Sequence, residues 1–142
     1  MNVVKLIAVF AENKPGETAR ITRLLAEARI NIRWVTIATS GQFGVMKLLV
    51  DQFDQALQCV KQAGVTASVL EALAVEVTDQ PGALHTVADL LARSHVNVDN
   101  ISGFVVQQRA ILVVEVRDST KASAALTKHR LRLLSQQEML SL

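Results

Sequence analysis

The chain repeats itself. Sliding the sequence by 66 residues, Pro15 onto Pro81, lays "NKPGETARITRLLAEARIN" (Asn13 to Asn31) over "DQPGALHTVADLLARSHVN" (Asp79 to Asn97). In that register Gly16 meets Gly82, Leu24 and Leu25 meet Leu90 and Leu91, and Ala26 meets Ala92. Ile21, Ile30 and Ile32 meet Val87, Val96 and Val98. No gap is needed downstream, where "VMKLLV" from Val45 falls on "ILVVEV" from Ile111, or upstream, where "LIAVFA" falls on "ALAVEV". One ungapped offset over nearly the whole chain means two copies of one fold, residues 1–70 and 71–142. The period is too long for a solenoid repeat and fits a doubled small domain.

Each copy has the same plan. A Val- and Ile-rich strand near Val4 to Ala11 leads into the Pro15-Gly16 turn. A helix follows, with Ile21, Leu24, Leu25 and Ala28 spaced along one face and Arg20, Arg23 and Glu27 on the other. A strand from Ile32 to Thr39, a turn at Ser40 to Gly44 and an alternating third strand come next. A second helix places Phe53, Leu57 and Val60 on one face and ends at Gly64, and a last strand runs from Val65 to Val69. The second copy predicts strands at Ala72 to Val77, Val98 to Val106, Ile111 to Val116 and Leu131 to Leu134, with helices at Ala83 to Ser94 and Lys121 to Lys128. The order is βαββαβ twice: an α+β chain of two ferredoxin-like units, each an antiparallel sheet with helices on one face.

Composition removes several function classes. The 142 residues carry a net charge of only +2, without the basic excess of a nucleic-acid binder. The one basic cluster, "KHRLRLL" from Lys128, reads as a half-buried strand. A single cysteine, Cys59, rules out an intrachain disulfide, a zinc cluster and a Cys-x-x-Cys pair, and suits a reducing cytoplasm. Polar residues break every apolar run well short of a membrane span, and the N-terminus lacks the cleavage pattern of a signal peptide. The expectation is a cytoplasmic protein without metal or cofactor, touching neither nucleic acid nor membrane.

One sheet face needs a partner. If Ile7, Val9, Val35 and Ile37 face the helices, the opposite face of the first copy holds Leu6, Ala8, Phe10, Trp34, Ala38 and Leu49. That is too apolar for water, whereas the second copy places Glu76, Asn100, Ser102 and Glu115 there. The expectation is a homo-oligomer that covers the first copy's face.

A fold of this kind hosts many functions, so the site must decide. The third strands carry no exposed aromatics of the RNA-binding type. No nucleophile, base or acid pair recurs in both copies, which argues against an enzyme. What recurs is Asn13-x-Pro15-Gly16 and Asp79-x-Pro81-Gly82 after the first strand, then Asn31-Ile32 and Asn97-Val98 at the start of the second. Proline fixes the chain, glycine lets a ligand approach the backbone, and the helix that follows offers free N–H groups to a carboxylate. Asn13 or Asp79 can accept from an ammonium group, and Asn31 or Asn97 can both donate and accept. The same residues also suit an ordinary turn and strand entry.

The motifs "NKPGET" and "DQPGAL", with "RINI" and "HVNV", resemble the ACT domain, the regulatory amino-acid-binding module of biosynthetic enzymes. The second copy has Leu84 where the first has Thr18, and Arg29 and His95 stand where the family has glycine. The resemblance implies ligand sites between two domains placed side by side. The loop Asn13, Lys14, Pro15, Gly16, Glu17 would face Asn97 and Val98. The loop Asp79, Gln80, Pro81, Gly82, Ala83 would face Asn31 and Ile32. The implied protein is an amino-acid sensor that acts through a partner or a change of assembly. The alternatives are a regulatory subunit of an enzyme such as acetolactate synthase, and a ligand-free dimerisation module.

Overall fold

The computed structural model describes every residue from Met1 to Leu142. It divides into two compact units, Lys5–Leu70 and Glu71–Leu142, the latter taking in Met1–Val4. The first unit contains β1 (Val4–Glu12), α1 (Glu17–Glu27), β2 (Ile32–Ser40), β3 (Phe43–Val50), α2 (Phe53–Gln62) and the start of β4 (Thr66–Thr78). The second contains the rest of β4, α3 (Ala83–Arg93), β5 (Val98–Val106), β6 (Arg109–Val116), α4 (Ser119–Lys128), β7 (Arg132–Leu134) and α5 (Gln136–Leu140). The βαββαβ order is therefore present twice.

In the first unit β3 lies between β1 and β2, antiparallel to both, with Ile7 opposite Leu48 and Val35 opposite Leu48 on the other side. In the second, β6 lies between β4 and β5, and β7 adds to the far edge of β4 with Val75 opposite Leu133. Both outer strands enter with a register shift at the same place, between Ile32 and Trp34 and between Val98 and Asn100.

Two equivalent cores result. Ile7, Val9, Met46 and Leu48 pack under Ile21, Leu25, Ala56 and Val60; Leu73, Val75, Leu112 and Val114 pack under Val87, Leu91, Ala122 and Leu126. Each fully buried Leu, Ile or Val contributes about 1.5–3 kcal/mol from leaving water. Cys59 is part of this helix packing, its thiol directed at the Leu24 carbonyl at 3.5 Å.

All four long helices end the same way. The residue after the C-cap adopts a left-handed backbone: Arg29, Gly64, His95 and Arg130 have φ of 57°, 76°, 57° and 63°. The next N–H then reaches back to the third-last helical carbonyl: Ile30 to Leu25, Val65 to Val60, Val96 to Leu91 and Leu131 to Leu126. This is the Schellman arrangement, and three of its four left-handed positions are held by side chains rather than glycine. It explains why Arg29 and His95 stand where the resemblance calls for glycine: the conformation is kept and the strain tolerated.

As the near-abutting strand spans on either side of the repeat boundary suggest, the two strands run into one another: Thr66–Thr78 is one continuous strand, β4. Four expectations change. Lys128, His129 and Arg130 close α4 instead of entering the last strand, which begins at Arg132. Helix α5 was not foreseen; Ser135 caps it, accepting from the Glu138 N–H while Glu138 accepts from the Ser135 N–H. Val35 and Ile37 share the helix-facing register of Leu48 and Met46 yet stay 48% and 49% exposed, because the helices cover β1 and β3 and leave the outer strand β2 open. On the opposite face Leu6, Ala8 and Leu49 are already buried within a single chain. Covering them does not require a second copy; Phe10, Ala38 and Phe43 stay exposed.

Candidate functional site

The two Pro-Gly turns have one geometry. Gly16 and Gly82 both occupy the N-cap at φ 88°, and neither α1 nor α3 receives a side-chain cap. A Cβ on either glycine would meet nothing within 4 Å. The glycines are thus required for their left-handed backbone and not for space, and the surface above them is open. The first N–H of each helix donates to a loop carbonyl, Glu17 to Lys14 at 3.4 Å and Ala83 to Gln80 at 3.2 Å, and no side-chain oxygen caps the rest of the first turn.

The loops differ in charge. In the first unit Glu17 occupies the first turn of α1 and pairs with Arg20 at 2.6 Å, while Lys14 pairs with Glu12 at 3.2 Å. The Arg20 guanidinium holds the Glu17 carboxyl below the usual carboxylate value. The helix end therefore already has a carboxylate beside it. In the second unit Gln80 and Ala83 replace Lys14 and Glu17, and the first turn of α3 carries no acid.

Asn13 has a structural task that the sequence reading missed. Its Nδ2 donates to the Gly41 carbonyl at 3.0 Å and its N–H donates to that of Gln42 at 2.7 Å, tying the loop to the β2–β3 turn. An ionised Asp79 has no hydrogen to donate in the same way. The Asn31 N–H donates to Asp51 Oδ1 at 3.0 Å and the Asn31 carbonyl accepts from the Asp51 N–H at 3.2 Å, while the residue stays exposed. Asn97 donates from Nδ2 to Asp99 Oδ1 at 3.3 Å, beside a shallow cavity of about 370 Å³ lined also by His95, Arg117 and Asp118. Ile32 and Val98 are half-buried at the strand mouths.

No unit brings its own loop and Asn together. Pro15-Gly16 lies at one end of α1 and Asn31 beyond the other; Pro81-Gly82 and Asn97 flank α3 likewise. Each helix has 11 residues, a separation of roughly 16 Å at 1.5 Å per residue.

Beside the second loop lies a cavity of about 380 Å³ that the repeat pattern did not reveal. Gln80, Ala83 and Thr86 line it together with Glu76, Arg109, Arg130 and Arg132. Arg109 and Arg132 reach the Glu76 carboxylate at 3.4 and 3.0 Å, and Arg132 also pairs with Glu138. A search for residues shared by both copies passes over it, since its charged residues occur in one copy only. No group of His, Cys, Asp and Glu is placed to hold a metal ion. No helix is long and apolar enough to cross a membrane.

Two βαββαβ units, each with an uncapped Pro-Gly turn opening its first helix, define a tandem ACT architecture. The chain belongs to the ACT domain family: the profile of the ACT domain pair matches residues 1–142. Among solved structures it resembles protein BT0572 from Bacteroides thetaiotaomicron, with 25% identity, 99% of this chain and 97% of that one covered, and a TM-score of 0.92. It also resembles the ligand-free regulatory subunit of aspartate kinase from Thermus thermophilus, with 16% identity, 90% and 96% covered, and a TM-score of 0.61. No curated protein sequence matches it significantly.

Proposed function

We propose that this protein is a non-catalytic regulatory module that binds an amino acid at its Pro-Gly loops and transmits occupancy through a partner or a change of assembly. The observation that carries the reading is the pair of uncapped helix N-termini, each opened by a left-handed glycine with free space above it. Such an end accepts a carboxylate. Because each loop is a helix length from its own Asn, a complete site needs a loop and an Asn from different units: Asn13 to Glu17 with Asn97 and Val98, and Asp79 to Ala83 with Asn31 and Ile32. Those units can belong to one chain or to neighbouring copies of a homo-oligomer, and exposed Phe10 and Phe43 suit the second case.

Binding energy of this kind acts by favouring one quaternary arrangement over another. A thermal-shift screen with the twenty amino acids tests the reading. It predicts stabilisation by one or a few of them. No shift with any amino acid at millimolar concentration would instead favour a ligand-free dimerisation module.

A second reading, an obligate subunit of a biosynthetic enzyme, is supported by the like-folded aspartate kinase regulatory subunit, which this chain spans almost end to end. Affinity purification from the native host separates the two: a stoichiometric catalytic subunit identifies the obligate case.

A further inference from the structure

The two repeats carry their own comparison. At the 66-residue offset, Glu76, Arg109, Arg130 and Arg132 of the second unit correspond to Phe10, Phe43, Gly64 and Thr66 of the first. The left-handed residue after the second helix is common to both units, Gly64 at φ 76° and Arg130 at φ 63°, whereas the hairpin turn differs, with Gln107 and Gln108 both at positive φ where the first unit has only Gly41 so. The chemistry has been exchanged. The first unit presents an apolar hollow lined by Phe10, Ala38, Phe43 and Val45, while the second presents a cavity lined by three arginines and one carboxylate.

Neither core packing nor turn geometry calls for those arginines. Glycine is the residue that a left-handed position favours, and the sibling repeat uses it. Arg130 holds that conformation nonetheless, lines the cavity, and has no carboxylate or hydrogen-bond acceptor of its own. Glu76 receives both Arg109 and Arg132, and Arg132 also pairs with Glu138, so two carboxylates orient these two guanidinium groups and Arg130 is the cation left over. The other polar residues lining the cavity, Thr78, Gln80, Thr86 and Gln108, are uncharged. Counting the lining side chains alone, three cations meet one anion.

We propose that this cavity is an oxyanion site, specific to the second unit, in which Arg130 contacts a carboxylate or phosphate of a small acidic metabolite and Arg109 and Arg132, held by Glu76, flank it. The planar fork of arginine suits both oxyanions. The proposal rests on the amino-acid reading only in that Gln80 and Ala83 belong to the second Pro-Gly loop. It narrows the ligand there to one with an acidic group beyond its α-carboxylate. The first unit, with its own Glu17 at the helix end and phenylalanines in place of arginines, does not share this preference.

The test is calorimetric titration of the full chain with glutamate, aspartate, succinate, inorganic phosphate and neutral amino acids, repeated on Arg130→Gly. That variant installs the residue the first repeat already carries, so folding is preserved, and its melting temperature confirms this. The proposal predicts saturable binding of at least one of the acidic compounds, weakened about tenfold or more in Arg130→Gly, as expected for loss of a hydrogen bond to a charged group. If inorganic phosphate or succinate binds and no amino acid does, the oxyanion site stands and the amino-acid reading falls. If Arg130→Gly leaves acidic ligands unaffected, or weakens a neutral amino acid as much as it weakens them, the oxyanion site falls and the amino-acid reading stands. No binding by any compound overturns both.

Discussion

Gly16 and Gly82 show what a single position can demand. Both lie at φ 88° with open space where a Cβ would go, so alanine there is strained by its own backbone and not by neighbours. Gly16→Ala should destabilise the chain by about 1 kcal/mol through left-handed strain. The opposite change is available at the helix ends. Arg29 and His95 are exposed and left-handed at φ 57°, so Arg29→Gly and His95→Gly should each stabilise by about 1 kcal/mol. Urea denaturation measures both signs, and a loss of stability in the glycine variants would mean that those side chains make contacts worth more than the strain. The Pro-Gly dipeptides were legible at once because proline and glycine act through their own backbone. Arg29 and His95 were not, since nothing in an arginine or a histidine announces a positive φ. Only the resemblance, by placing glycine there, pointed at the conformation.

At the scale of elements, periodicity worked where one face is buried. The spacing of Ile21, Leu24, Leu25 and Ala28 predicted α1, and its image in the second repeat predicted α3. Leu25 and Leu91, equivalent and fully buried, should each cost about 2–5 kcal/mol as alanine. Similar losses by thermal unfolding would reflect the shared core design; a negligible loss at either would contradict the core assignment.

Periodicity failed where burial stops being set by the strand's own alternation. Val35 and Ile37 alternate correctly, but β2 lies outside the cover of its helices. Helix α5 was missed because five residues are too few for an apolar period; its visible sign was the Ser135–Glu138 capping box. Ser135→Ala should cost about 1 kcal/mol. The Glu138 carboxyl is held below its usual value, first by the Ser135 N–H and then by Arg132. A depressed folded value means that its stabilising effect is present above the unfolded carboxylate pKa. The effect is lost as pH falls through the folded one. The protection of α5 amides, measured as exchange relative to the intrinsic rate at each pH, should therefore fall in acid, and Glu138→Gln should remove that dependence. An unchanged acid profile in the variant would show that the capping carboxylate does not control the helix.

The whole molecule is a duplication whose halves kept the βαββαβ order and the helix ends and separated in chemistry. Pro-Gly turns, strand-entry bulges and Schellman helix ends are common to both units. The residues around them are not: Glu17 against Ala83, Phe43 against Arg109, Gly64 against Arg130. Reading the repeat for what it conserves found the loops and the asparagines; reading it for what it changes found the arginine cavity, and only after the fold had gathered residues 76 to 132 around one opening.

The central claim is that a loop of one unit and the strand-entry Asn of another bind a single ligand together. Calorimetric titration of the amino acid identified by screening, into the parent chain and into Asn31→Ala and Asn97→Ala, tests it most directly. Both asparagine side chains lie at the surface, so their removal leaves the cores intact. The account predicts that affinity falls about tenfold or more at the site each Asn completes, while melting temperatures without ligand stay within a degree or two. Unchanged affinity in both variants would contradict it.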